Sequence, residues 1–241
     1  MILMAAMNAA PCEKIVPQLP WHRIETVLLD MDGTLLDKHF DDYFWEQYVP
    51  EHYSLLHDIP IETAKEQLLE RYHRVRHTLD WSDLSYWSRE LGLDLLELKL
   101  RINHLICVHP YVIEFLEYCS WGRKKLYLIT NAHPGTLAVK LEKTAIGAWF
   151  DRVVCAEEIG RAKEEAEFWP RLERLLHFDK SRTLLVDDTE KVLAAAAEYG
   201  LAYPLFVARP SSRQRVSYSC AFPSIEYFKE LLPRQDASKT Q

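Results

Sequence analysis

Short apolar runs without polar alternation recur at 26–30, 126–130, 152–155, 183–187 and 203–207. Each predicts a strand buried on both faces, the pattern of a covered parallel sheet rather than a half-exposed one. Helical spacing fills the intervals between the later runs. Leu137, Lys140, Leu141 and Thr144 precede a stop at Gly147, and Val192, Leu193, Ala196 and Tyr199 precede one at Gly200. Each glycine stands where a helix C-terminus favours it. Pro170 falls within a helical stretch from 164 to 177 and predicts a helix start or kink there. Strands alternating with helices predict an α/β fold with a doubly wound, Rossmann-like parallel sheet.

The interval 38–109 reads differently. Ile61, Ala64, Leu68, Tyr72, Val75 and Leu79 share a helical face, after Pro60 in a favoured first-turn position. Asp80 is placed to cap a second helix in which Leu84, Trp87 and Leu91 share a face and Gly92 ends the run. A third helix is expected from about 95 to 106. With no strand signal between them, these helices predict an all-helical cap inserted after strand 1. The core is then assembled from 21–37 and 110–233. Residues 1–20 carry three prolines and predict an irregular extension, 225–232 a tail helix, and 234–241 a disordered tail.

Composition narrows the partners. Hydrophobic residues make up 48% and charged residues 27%, ordinary values for a globular chain, and the formal charge is −7. An acidic balance argues against nucleic acid as the main partner, while a few local cations suffice for a small phosphorylated metabolite. No run approaches the roughly 18 apolar residues of a membrane span. The apolar N-terminus lacks the basic flank of a signal peptide. Five cysteines (12, 107, 119, 155 and 220) form no C-x-x-C pair, which predicts reduced thiols and a cytoplasmic protein.

The chemistry concentrates where apolar runs stop. Val27-Leu28-Leu29 ends in Asp30, Met31, Asp32, Gly33 and Thr34. Two buried acids so close together are costly unless a cation or a reaction employs them. Gly33 permits a sharp turn and close backbone approach, and Thr34 offers a hydroxyl and an N–H in the same turn. Thr130 and Asn131 end the second run, Asp187 and Asp188 the fourth, and Lys163 follows the third. Ligands of open α/β sheets bind beyond the carboxyl ends of the strands, so these residues are expected at one edge. Several carboxylate oxygens together suit Mg²⁺.

In this order, DMDGT, an apolar strand ending in TN, a lysine and an apolar strand ending in DD, the chain resembles the haloacid dehalogenase superfamily with a C1-type helical cap, over about 22–230. The resemblance implies a Mg²⁺-dependent phosphomonoester hydrolase in which Asp30 is the nucleophile, forming an aspartyl-phosphate, and Asp32 the general acid and base. It implies metal ligation by Asp30, the Asp32 backbone carbonyl and Asp188, with Asp187 a ligand or outer partner. Gly33, Thr34, Thr130, Asn131 and Lys163 would hold the phosphoryl group. Phe44-Trp45, His77 to Trp81, Tyr86-Trp87 and Thr130 to Pro134 resemble the bacterial nucleotidases of that superfamily that act on GMP and IMP. Trp45 and Trp81 would then stack a purine, and Arg74 and His77 would grip the nucleotide. The alternatives are a sugar-phosphate or phosphoglycolate phosphatase, a phosphomutase, or a catalytically silent phosphate-binding protein. Two positions depart from the family pattern: Ala162 stands where many relatives have proline, and Lys191-Val192-Leu193 where many carry another acid, with Glu190 as a substitute.

Overall fold

The computed structural model describes residues 12–75, 81 and 83–233. Its centre is a six-stranded, wholly parallel sheet of order β3-β2-β1-β4-β5-β6. The strands are β1 (Thr26–Leu29), β2 (Lys125–Thr130), β3 (Arg152–Cys155), β4 (Thr183–Asp187), β5 (Tyr203–Val207) and β6 (Ser224–Ile225). Period-two geometry divides each apolar run between two cores. Val27 and Leu29 join one apolar cluster with Leu126, Leu128, Leu184 and Val186, while Leu28 joins the other with Ile129, Val154 and Leu185.

Between β1 and β2 the described segments contain α1 (His39–Tyr43), a π-helical turn Phe44–Tyr48, α2 (Val49–His57), α3 (Ile61–Val75), α4 (Leu84–Leu91) and α5 (Leu95–Arg101). Phe40, Phe44, Leu68, Trp87 and Leu91 from this insertion are buried in the same cluster as Phe115 and Leu137 of the core. The insertion's two ends meet: Leu36 and Val108 form an antiparallel bridge, and Asp37 N–H donates to Cys107 O while His109 N–H donates to Leu35 O, both at 2.9 Å. The remaining α-helices are α6 (Val112–Trp121), α7 (Pro134–Thr144), α8 (Ala156–Ile159), α9 (Phe168–Leu176) and α10 (Glu190–Tyr199). No helix among the described residues is long and apolar enough to cross a membrane.

Several local expectations are corrected. Helix α7 ends at Ala145, which turns into the left-handed region while its N–H donates to Leu141 O; Gly147 lies in the following 3₁₀ turn. Helix α4 is capped by Asp83, whose carboxylate accepts Ser85 N–H; Asp80 lies outside the described residues. The third helix stops at Arg101 and continues only as a 3₁₀ turn over Asn103–Leu105. In place of a tail helix over 225–232, Ser224–Ile225 adds a sixth strand beside β5, and only Phe228–Leu231 turns, as 3₁₀. Pro170 sits in the first turn of α9, where its missing N–H costs nothing.

Cys12 and Cys220 form a disulfide, against the expectation of five reduced thiols; Cys107, Cys119 and Cys155 are free. The partners are 208 residues apart in sequence, so no local spacing announces them. Backbone pairing brings the two segments together, with Ser224 N–H donating to Ile15 O at 2.9 Å. Residues 234–241 lie outside the described residues.

Candidate active site

The chain runs outward from β1 to β2 and β3, then returns to place β4 on the other side of β1. That reversal opens a crevice beyond the carboxyl ends of β1 and β4, where α/β sheets bind ligands. Register fixes what fills it. Leu29 pairs with Val186, and Asp30 N–H donates to Val186 O at 3.0 Å, so Asp30 and Asp187 are neighbours across the crevice.

Lys163 lies between them. Its buried Nζ is 2.6 Å from Asp30 Oδ1 and 2.7 Å from Asp187 Oδ2. Burial opposes the ammonium charge, but Asp187 and Asp30 outweigh it and hold the lysine protonated. Burial also pushes the Asp30 carboxyl up to about 7; Lys163 works against that, and the neighbouring Asp187 and Asp188 reinforce it. Asp187 is raised by burial too, with Lys163 opposing. Its second oxygen, Oδ1, accepts Thr189 N–H at 2.9 Å, so both its oxygens are committed to protein donors.

Asp188 is placed differently. Its Oδ2 takes Lys38 Nζ at 2.8 Å, and the lysine is held protonated chiefly by Asp188. Carboxylate oxygens of Asp30, Asp187 and Asp188 all lie within 4.8 Å of one another. An all-oxygen set of this kind fits a hard divalent cation such as Mg²⁺. Gly33 turns the chain at φ +89°, and a Cβ there would stand 2.7 Å from Asp188 Cγ. Thr34 is buried, and its hydroxyl has no hydrogen-bond partner among the described residues.

Asn131 organises the lysine loop. Its Oδ1 accepts Lys163 N–H at 3.0 Å and its Nδ2 donates to Glu164 Oε2 at 2.8 Å. Trp169 Nε1–H adds a bond to Lys163 O at 3.1 Å. Thr130 Oγ1 accepts Ala132 N–H at 3.0 Å, which leaves its own proton free to donate. Ala162, in place of a proline, gives its N–H to Glu165 Oε1 at 2.7 Å, a bond that proline could not make. Glu190 is exposed and is not among the residues around the cavity.

Asp32 is the most accessible acid of the group, its side chain 22% exposed against 7% for Asp30. Burial raises its carboxyl to about 6, with Lys140 opposing and Asp41 and Asp30 adding to the rise. Lys140, Asp41, Lys99 and Lys38 also border this site, though sequence patterning does not mark them. Their signal is buried charge, which a sequence shows only as polar positions within helical spacing.

These groups open into a cavity of about 780 Å³ whose far wall comes from the insertion, including Trp45, Leu68, Tyr72, Trp81 and Leu84. Trp45 is edge-on to Tyr72 and tilted against Trp87, with ring centroids 5.6 and 6.0 Å apart. Trp81 is more open: it meets Tyr72 edge-on at 5.8 Å and is 36% exposed. Arg74 pairs with Glu70 on the exposed face of α3 and does not border the cavity. His77 lies outside the described residues.

A wholly parallel sheet with carboxylates at its switch point, and a helical insertion after its first strand, make this a Rossmann-like α/β protein with an acidic site. The chain belongs to the haloacid dehalogenase-like hydrolases, whose family model matches residues 24–200. It is 38% identical over 215 residues to the GMP/IMP nucleotidase YrfG of Escherichia coli (strain K12), spanning 89% of this chain and 97% of that protein. Pyrimidine 5′-nucleotidase YjjG of the same organism is 36% identical over 83 residues, 34% of this chain and 37% of its own length. Among solved structures, the HAD phosphatase from Thermococcus onnurineus superposes with a TM-score of 0.71 at 25% identity, covering 86% of this chain and 96% of that one.

Proposed function

We propose that the protein is a Mg²⁺-dependent 5′-nucleotidase that hydrolyses purine mononucleotides such as GMP and IMP through an aspartyl-phosphate. The observation that carries the reading is buried Lys163 held between Asp30 and Asp187, lining a cavity with an aromatic far wall. Near full-length similarity to a GMP/IMP nucleotidase supports the choice of substrate.

Asp30 attacks phosphorus, and the P–O bond to the nucleoside breaks as the Asp30 Oδ–P bond forms. Asp32 gives its proton to the departing 5′-oxygen, then accepts one from the water that cleaves the acyl-phosphate. Lys163 and the Thr130 hydroxyl neutralise charge on the phosphoryl oxygens. Asn131 keeps the lysine loop in place through its bonds to Lys163 and Glu164. Asp30 and Asp188, with the Asp32 carbonyl, would hold Mg²⁺; Asp187, with both oxygens taken, serves Lys163. When bound, the metal shields the phosphate so that a carboxylate can approach it. Trp81 offers its open face to the base, at about 1–3 kcal/mol for aromatic–base stacking.

A panel of phosphate esters with and without Mg²⁺ tests this. Preferential turnover of GMP and IMP is expected. Strong turnover of a sugar phosphate with none of any nucleotide would overturn the substrate, and phosphate release unaffected by chelator would overturn the metal.

A further inference from the structure

Asp32 does not stand alone. Lys140, on α7 of the core, is almost wholly buried, and its Nζ is 2.6 Å from Asp32 Oδ1 and 2.5 Å from Asp41 Oδ2. Asp41, on α1 of the insertion, also takes Lys99 Nζ at 2.9 Å through its other oxygen. Lys99, from α5, is as buried as Lys140 and lies against Phe44 and Phe40, 4.2 and 4.8 Å from their ring centroids. Two carboxylates and two ammonium groups thus form a neutral buried chain that ends on the acid facing the cavity.

We propose that Lys140 is the positioning residue for Asp32, itself fixed by the Asp41–Lys99 pair that the helical insertion supplies. The inference rests on the reading of Asp32 as the proton-transferring group. Stability is a poor explanation for such a chain. Buried ion pairs seldom improve on well-packed apolar side chains of the same volume. Geometry gives a better one. Lys140 binds only Oδ1 of Asp32, and Oδ2 has no partner among the described residues. One oxygen is anchored and the other is free to carry the proton. In the first step that proton passes from Asp32 to the leaving oxygen; in the second, Asp32 regains one from water. Lys140 neither gains nor loses a proton. Asp41 bridges two lysines that come from the core and from the insertion, so Lys140 is positioned only when the insertion is packed against the core.

The test separates leaving groups. Departure of an alkoxide needs an acid, whereas departure of p-nitrophenolate needs little help. Rapid-quench measurement of the first step, with Mg²⁺ present, compares GMP (or the alkyl phosphate the panel finds cleaved) with p-nitrophenyl phosphate. Asp32→Asn defines the reference split. Lys140→Met is expected to slow the first step with the alkyl ester by about 100-fold, the scale of misplacing a catalytic group by an ångström. Release of p-nitrophenol should fall less than about threefold, and KM should move little. Asp41→Asn keeps the shape and should show the same split, about tenfold; it carries the test if Lys140→Met fails to fold. Equal losses on both esters, or no loss, in a folded variant whose Asp32→Asn counterpart shows the split overturn the proposal alone. An Asp32→Asn protein without the split removes the reading beneath it as well.

Discussion

Gly33 and Asp188 leave no space between them: a side chain at 33 would collide with the carboxylate at 188, a Cβ standing 2.7 Å from its Cγ. The glycine also adopts φ +89°, where an L side chain is strained. Gly33→Ala should therefore displace Asp188 and weaken Mg²⁺ binding by at least about tenfold, with about 1–2 kcal/mol of lost stability. Titrating Mg²⁺ against the thermal midpoint checks it. An unchanged Mg²⁺ dependence would mean that Asp188 is not a ligand.

The two adjacent acids at the end of β4, Asp187 and Asp188, should separate on substitution. Asp188→Asn is expected to abolish the rise in Tm that Mg²⁺ produces. Asp187→Asn should weaken Mg²⁺ by only about 10–100-fold, the scale of a residue that orients rather than ligates. Calorimetric titration of both variants decides the assignment, which reverses if Asp187→Asn is the more damaging.

Acid titration in the metal-free protein has a definite sign. The Asp30 carboxyl is raised to about 7 and that of Asp32 to about 6, both first by burial. The folded state therefore holds protons that the unfolded chain has released above about pH 4. The associated stability is fully present below about pH 4 and is lost as pH rises through the folded values. In chelator, Asp30→Asn should be more stable than the parent at pH 8, by at least about 1 kcal/mol, and the difference should close toward pH 4. Urea midpoints across this range measure it; parallel curves would contradict the burial-driven shift.

At the far wall, Trp81→Ala should raise KM for GMP about 5–150-fold, the equivalent of one stacked base, with inhibition by inorganic phosphate unchanged. Arg74→Ala should leave both within about twofold, as its guanidinium faces Glu70 on an exposed helix face. Steady-state kinetics of the two variants side by side make the comparison.

What the sequence reveals follows from how local each signal is. The five longer strands announce themselves because a strand buried on both faces must be apolar throughout, and Asp30, Thr130 and Asp187 mark the points where that demand ends. Lys140 escapes detection for the opposite reason. It sits between Leu137 and Leu141 as an ordinary helix position, and its partners Asp32 and Asp41 are 108 and 99 residues away. Lys99 reads as a solvated side chain until the packing of Phe40 and Phe44 covers it. The two-residue β6 is too short for any periodicity, and its buried Ile225 suits a helix start as well as a strand. Trp45 illustrates the remaining ambiguity: aromatic spacing gives no sign that it already packs against Tyr72 and Trp87.

The bridge between Leu36 and Val108 has an evolutionary consequence. Because the chain leaves and re-enters the core through one antiparallel bridge, closed by the Asp37–Cys107 and His109–Leu35 hydrogen bonds, strands β1 and β2 meet the same boundary whatever is carried between them. The closure entropy of an inserted loop grows only with the logarithm of its length, about 0.6 kcal/mol per doubling. Helices at this junction can thus be lengthened, shortened or exchanged at little cost to the sheet. Such a doorway leaves Asp30 and Asp187, which the sheet register holds, in place while the helices carried through it change.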